Sequence, residues 1–160
     1  MRYALLLGLA ALLPVSAHAA PPADCQQTTI DANPNIVIPV HVTSHREIST
    51  HPAHRGLAFN RYEVTLGARN EFDTICTVHR NSVALFTLAD PRRYEFVDIR
   101  YYEDGLPSTQ ILRTEVGRDQ IRVINLNTAP VPLKYTIVLR DRATGTVISH
   151  DPIDDNQPPV

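Results

Sequence analysis

Apolar side chains recur at every second position over most of the chain, and that two-residue period limits it to strands. Ile36, Ile38, Val40 and Val42 occupy alternate positions of one strand. Tyr62, Val64 and Leu66 alternate with Arg61, Glu63 and Thr65, and Tyr135, Ile137 and Leu139 with Lys134, Thr136 and Val138. Successive side chains of a strand point to opposite faces, so each pattern describes a strand with one face buried. Further strand-like stretches run from Cys76 to Leu88, with an irregularity at Arg80-Asn81-Ser82, and from Thr109 to Glu115 and Gln120 to Asn127. In another, Tyr94 and Phe96 share one parity and Val97, Ile99 and Tyr101 the other, which reads as an inner strand apolar on both faces. A helical reading would set many β-branched residues against their propensity.

Turn-forming residues separate these runs at Asn33-Pro34, Asp90-Pro91, Glu103-Asp104-Gly105, Gly117 and Ala143-Thr144-Gly145. Their spacing is close to the roughly 8–12 residues between turns of an antiparallel sandwich. The expected fold is therefore an all-β, immunoglobulin-like antiparallel sandwich of about seven or eight strands. The chain lacks tryptophan, so the Cys–Trp–Cys core of antibody domains is absent.

The first residues read differently. Arg2 precedes an apolar run, Leu5 to Leu13, too short for the ~20 residues of a membrane-spanning helix. Ala17-His18-Ala19 then fits the small-residue pattern of a signal-peptidase site. Residues 1–19 are read as a cleaved signal peptide and 20–160 as a single domain with an extended leader and a polar C-terminal tail. Periplasmic or secreted localisation follows, with no membrane span. Removing nineteen of 160 residues leaves 141, enough for a core without metal or cross-links. Losing Arg2 takes the formal net charge from −2 to about −3, so clustered positive charge for nucleic acid is not expected. Outside the cytosol, the two cysteines, Cys25 and Cys76, are expected to pair as a disulfide.

Four of the seven histidines, His41, His45, His51 and His54, fall in one short segment. With His79 from another strand they are the candidate copper or zinc ligands, since these metals take three or four converging imidazoles or thiolates. The competing reading is an exposed polar loop between two strands. A cut after Ala17 would instead leave His18 first, where a terminal amine and ring could chelate copper.

The tail offers hard oxygen donors for calcium at Asp151, Asp154, Asp155 and Asn156. Asp154-Asp155-Asn156-Gln157-Pro158 resembles the calcium-binding linker of cadherins, although Pro152 stands where the leading acidic residue belongs. The competing reading is a solvated strand end stopped by proline. From about Tyr135 onward the chain also resembles the small bacterial DP-EP family. The carriers are Tyr135-Thr-Ile-Val-Leu, a turn at Gly145, a closing strand, Asp151-Pro152, and then Asn156 and proline, with Gln157-Pro158 where that family has Glu-Pro. The resemblance implies an immunoglobulin-like sandwich without known catalytic residues.

Arg92, Arg93, Arg100, Tyr101 and Tyr102 form a candidate contact surface, because arginine and tyrosine are enriched at interaction hot spots. Tyr101 and Tyr102 point to opposite faces, so one of them is expected outside. No G-x-S-x-G elbow surrounds any serine of the mature chain, and the carboxylate pairs sit in turns or the tail. The leading functional reading is an exported, non-enzymatic module that binds another envelope or secreted protein. The alternatives are a periplasmic copper or zinc binder and a hydrolase with a dispersed site.

Overall fold

A computed structural model describes residues 35–67, 74–77 and 80–156. These form eleven strands: β1 (Asn35–Ile48), β2 (Ala58–Leu66), β3 (Thr74–Thr77), β4 (Ser82–Leu88), β5 (Tyr94–Glu103), β6 (Leu106–Pro107), β7 (Ile111–Val116), β8 (Gln120–Asn125), β9 (Pro132–Asp141), β10 (Val147–His150) and β11 (Ile153–Asn156). One sheet has the order β2-β1-β4-β8-β7. The other has the order β3-β11-β9-β5-β6, with β10 also on β9. Among the described residues, the only helical piece is a 3-10 turn at Pro52–His54, and no helix is long and apolar enough to cross a membrane. The all-β sandwich is thus present. The strand count exceeds the sequence expectation because the stretch from Cys76 divides at Asn81 (φ 54°) into β3 and β4, which lie in opposite sheets, and because β6 and β11 are short additions.

The sheets are mixed rather than wholly antiparallel. Asn35–Val40 runs parallel to Val83–Leu88, and Ile153–Asn156 runs parallel to Thr74–Thr77. Parallel neighbours need a long connection. The excursion through β2 and β3 supplies it for β1 and β4, and most of the chain supplies it for β3 and β11.

Alternation places the core. Leu133, Tyr135, Ile137 and Leu139 of β9 are buried, as are Ile38 and Val40 of β1, Phe86 of β4, and Ile121 and Val123 of β8. Tyr135 meets Phe86 of the facing sheet at 5.9 Å between ring centroids and stacks on Tyr101 at 4.8 Å.

In β5 the structure corrects the sequence reading. The β5–β9 register shifts between Phe96 and Asp98, leaving Val97 as an extra residue. Such a bulge resets the side-chain parity. Tyr94, Phe96, Ile99 and Tyr101 therefore all face the core, while Val97 lies outside. The strand is apolar on one face, bent midway.

The tail is also more than a solvated end. β10 and β11 pair with β9 in one unbroken register, Val147 opposite Arg140 and Ile153 opposite Lys134. The strand assignment lapses only at Asp151-Pro152, where proline has no N–H to give. Even there the Tyr135 N–H donates to the Pro152 carbonyl at 3.1 Å. The strand continues inward at Asp154, which is 3% exposed. Its carboxylate accepts from Thr77 Oγ1 at 2.7 Å and from Asn125 Nδ2 at 3.1 Å. Asn125 Oδ1 accepts from the Asn127 N–H, and Asn127 Nδ2 donates to the Thr77 carbonyl. Thr77 and Asp154 belong to one sheet and Asn125 to the other, so this buried network joins the layers.

Asp154→Ala takes the shared anionic acceptor from Thr77 and Asn125, and an unsatisfied buried group costs about 1–3 kcal/mol. Urea unfolding of this variant is expected to show a lower midpoint with the slope unchanged, the midpoint shift multiplied by that slope giving a loss of about 1–3 kcal/mol.

Candidate functional site

The β1–β2 hairpin carries most of the histidine segment and leaves the body of the sandwich. β1 pairs with β4 only as far as Val40, but with β2 to its end at Ile48. The His41–Ile48 half of β1 reaches on for roughly 25 Å at strand rise. Among the described residues, no strand pairs with its other edge. The result is a two-stranded ribbon closed by the 3-10 turn. Its end is apolar and open: Ile48 is 68% exposed, Leu57 62% and Phe59 46%. The register sets Ile48 on one face of the ribbon and Leu57 and Phe59 on the other, so the end offers apolar side chains to water on both faces.

The ribbon is fixed at its base by a second polar node. Asp141 is the inward residue that follows Leu133, Tyr135, Ile137 and Leu139 along β9, and it is wholly covered. Its Oδ2 accepts from Tyr62 Oη at 3.0 Å and Arg93 Nη2 at 3.2 Å, and its Oδ1 from the Ala143 N–H at 2.8 Å. Arg93 Nη2 also donates to Ser44 Oγ at 2.8 Å, and the guanidinium lies 5.2 Å from the centre of the Tyr94 ring. Tyr62 and Ser44 belong to the ribbon, while Asp141, Arg93 and Tyr94 belong to the facing sheet and the turn leading into it. Burial alone would raise the Asp141 carboxyl above its ordinary range. The Ala143 amide, Tyr62 and Arg93 together outweigh that and hold it below. The carboxylate is thus a fixed anion that braces the ribbon.

The histidines separate along this ribbon. His41 lies opposite Thr65 and His45 opposite Arg61 on the outward face, about 13 Å apart at strand rise. His51 caps the 3-10 turn and His54 ends it, their rings stacked with centroids 5.8 Å apart. His51 Nδ1 already accepts from the Ala53 N–H at 3.3 Å. His79 lies outside the described residues. Among the described residues, no three His, Cys, Asp or Glu side chains gather as a metal set.

The proposed calcium donors divide between the faces of the last strand. Asp151 accepts from Thr136 Oγ1 at 2.6 Å on the exposed side, whereas Asp154 is committed inside to Thr77 and Asn125. The side chains of Asp155 and Asn156 lie outside the described residues. So do Cys25 and the side chain of Cys76, and with them the expected disulfide.

The Arg–Tyr surface is rearranged. Tyr101, 6% exposed, stacks on Tyr135 and belongs to the core, not to the contact surface. The bulge at Val97 sets that orientation. Burial pushes its phenol well above the ordinary tyrosine value. Tyr102 is half-buried on the outer face and helps line an open cleft of about 540 Å³ with Asp104, Gly105, Lys134, Thr136 and Asp151. Arg100 pairs with Asp98 at 2.7 Å. Arg92 is exposed, its carbonyl accepting from Arg142 at 3.0 Å, and Arg93 is drawn into the Asp141 node.

Sequence reading missed Asp141, Tyr62, Ser44 and the Asp154–Asn125–Thr77 network. A signal was present: Asp141 and Asn125 each take the next inward position after a run of apolar inward residues. A polar residue at such a position must find partners inside.

Because Asp141 is held below its unfolded value, its contribution to stability is full above pH ~4 and is lost as pH falls through the lower folded value. Melting curves from pH 7 to 2 should show Asp141→Asn less stable at pH 7, by about 1–3 kcal/mol, and with a flatter acid limb than the parent protein. An identical acid limb would rule out this role for Asp141. The chain matches no family model, and no curated protein is significantly similar to it.

Proposed function

We propose that the protein is an exported, non-enzymatic β-sandwich that works as a protein-binding module, with the β1–β2 ribbon as its contact element. One observation carries this reading. A ribbon braced at its base by a buried carboxylate holds three large apolar side chains, Ile48, Leu57 and Phe59, out in water. Exposing them is unfavourable by the usual 25 cal/mol per Å² of apolar surface, and a partner that covers them recovers it. Export rests on Arg2, the Leu5–Leu13 run and the Ala17-His18-Ala19 site. The non-enzymatic reading rests on the roles of the polar side chains: Asp141, Arg93, Ser44 and Tyr62 are engaged with one another across the sheets.

The test is retention of a partner from an envelope extract by the immobilised mature protein. Ile48→Asp/Leu57→Asp/Phe59→Asp should lose that partner, while its melting temperature stays near the parent's, because surface changes away from packed groups typically alter stability by only about 0.5 kcal/mol. Equal retention by both proteins would reject the ribbon as the contact element. Melting with added zinc or copper separates the metal-binding alternative, since a ligand of the folded state raises stability by RT ln(1 + [L]/Kd).

A further inference from the structure

Three arginines, one from a strand and two from turns, converge on a single carboxylate. Glu95 of β5 and Arg140 of β9 are cross-strand partners. Each stands between buried neighbours, Tyr94 and Phe96 in one strand and Leu139 and Asp141 in the other, so both side chains lie on the outer face of the sheet. Arg142 follows in the turn after β9, its N–H donating to the Arg93 carbonyl at 2.9 Å and its Nη1 to the Arg92 carbonyl at 3.0 Å. Arg118 comes from the turn between β7 and β8, and its carbonyl takes the Phe96 N–H at 2.9 Å. Backbone contacts thus bring Arg118 and Arg142 to Glu95.

One carboxylate does not satisfy three guanidiniums. Arg140 Nη1 donates to Glu95 Oε1 at 2.9 Å. Arg118 Nε and Arg142 Nε lie 3.7 and 4.0 Å from Oε2, beyond hydrogen-bond distance. Each guanidinium carries five N–H donors, and most of those in the cluster have no protein acceptor among the described residues. The other acids of these turns are not paired with it. Asp90 Oδ1 takes the Arg93 N–H at 3.3 Å, and Asp119 forms no ion pair among the described residues. The Glu95 side chain is 22% exposed and the three arginines 40–57%, so the carboxylate lies beneath and the unused donors lie outward. The whole chain has a formal charge of −2, so the excess of positive charge is local.

We infer that this cluster binds a phosphate monoester. Like charges held together repel until an anion joins them. A phosphate monoester brings nearly two negative charges and three acceptor oxygens at neutral pH. Guanidinium forks pair with such oxygens two N–H groups at a time. Convergence on one point suits a compact anion rather than a polymer. Val147, exposed, stands across from Arg140 in the same outward row and gives the carbon side of the ester an apolar neighbour. A lipid headgroup and a soluble phosphate ester both present this chemistry. The inference is independent of the ribbon and of any partner that the ribbon holds.

NMR of the isotope-labelled protein during titration with ethyl phosphate tests the site through the arginine Nε–Hε signals. Arg118, Arg140 and Arg142 should shift saturably. Arg118→Gln/Arg142→Gln should raise the dissociation constant roughly tenfold or more, through the loss of charge-assisted hydrogen bonds. Arg113→Gln/Arg122→Gln removes the same charge from the Glu115 pairs of the other sheet and should leave the constant unchanged. All four arginines are exposed, so both variants are expected to fold. Co-sedimentation with phosphatidylcholine vesicles containing phosphatidic acid separates the two sources. Binding at phosphate concentrations far below those that ethyl phosphate needs assigns the site to a lipid headgroup, and binding only at similar concentrations assigns it to a soluble ester. Shifts that never saturate overturn the inference, as does equal weakening in the two double variants, which would leave only long-range attraction. Neither result bears on retention of a partner by the ribbon.

Discussion

An extended backbone presents amides and carbonyls along both of its edges, and each must find a partner or remain in water. That requirement organises this molecule. β9 is satisfied on both sides, by β5 along its length and by β10 and β11 together. It accordingly carries the most regular alternation and the deepest side chains. β1 is satisfied on both sides only as far as Val40. Where the second partner stops, the strand leaves the body and becomes the ribbon.

Two buried carboxylates hold this arrangement, one at each transition. Asp154 lies where the last strand crosses into the centre of its sheet, and Asp141 where the ribbon departs. Each receives several donors, and each joins residues of opposite sheets. Apolar contacts between the layers are non-directional and allow the sheets to slide. Directed hydrogen bonds to a fixed anion do not, so the network sets the relative position of layers whose cohesion comes from Tyr135, Phe86 and their neighbours.

Much of this was legible in the residues. Period-2 alternation located β1, β2 and β9, and Asp104-Gly105, with φ of 50° and 82°, forms the tight turn that such a pair favours. Other features depend on pairing that local pattern does not encode. The extra residue at Val97 looks the same in sequence as a strand with two apolar faces, and only the partner strand tells them apart. Proline at position 152 argues for a stop when read alone, yet the register with β9 carries the chain through it. The histidines were conspicuous as a cluster because they are close in sequence. A strand spreads such neighbours along its length and between its faces, so sequence proximity there counts against convergence.

The position of β11 has a temporal consequence. It is the last described strand along the chain, yet it lies between β3 and β9 instead of at a border. Until it arrives, β3 has no described neighbour, and the Thr77 and Asn125 side chains lack the anion that both address. A chain delivered from its N-terminus onward must therefore keep this sheet unfinished until β11 has emerged, and the hydrogen bonds that join the layers through Asp154 form only then.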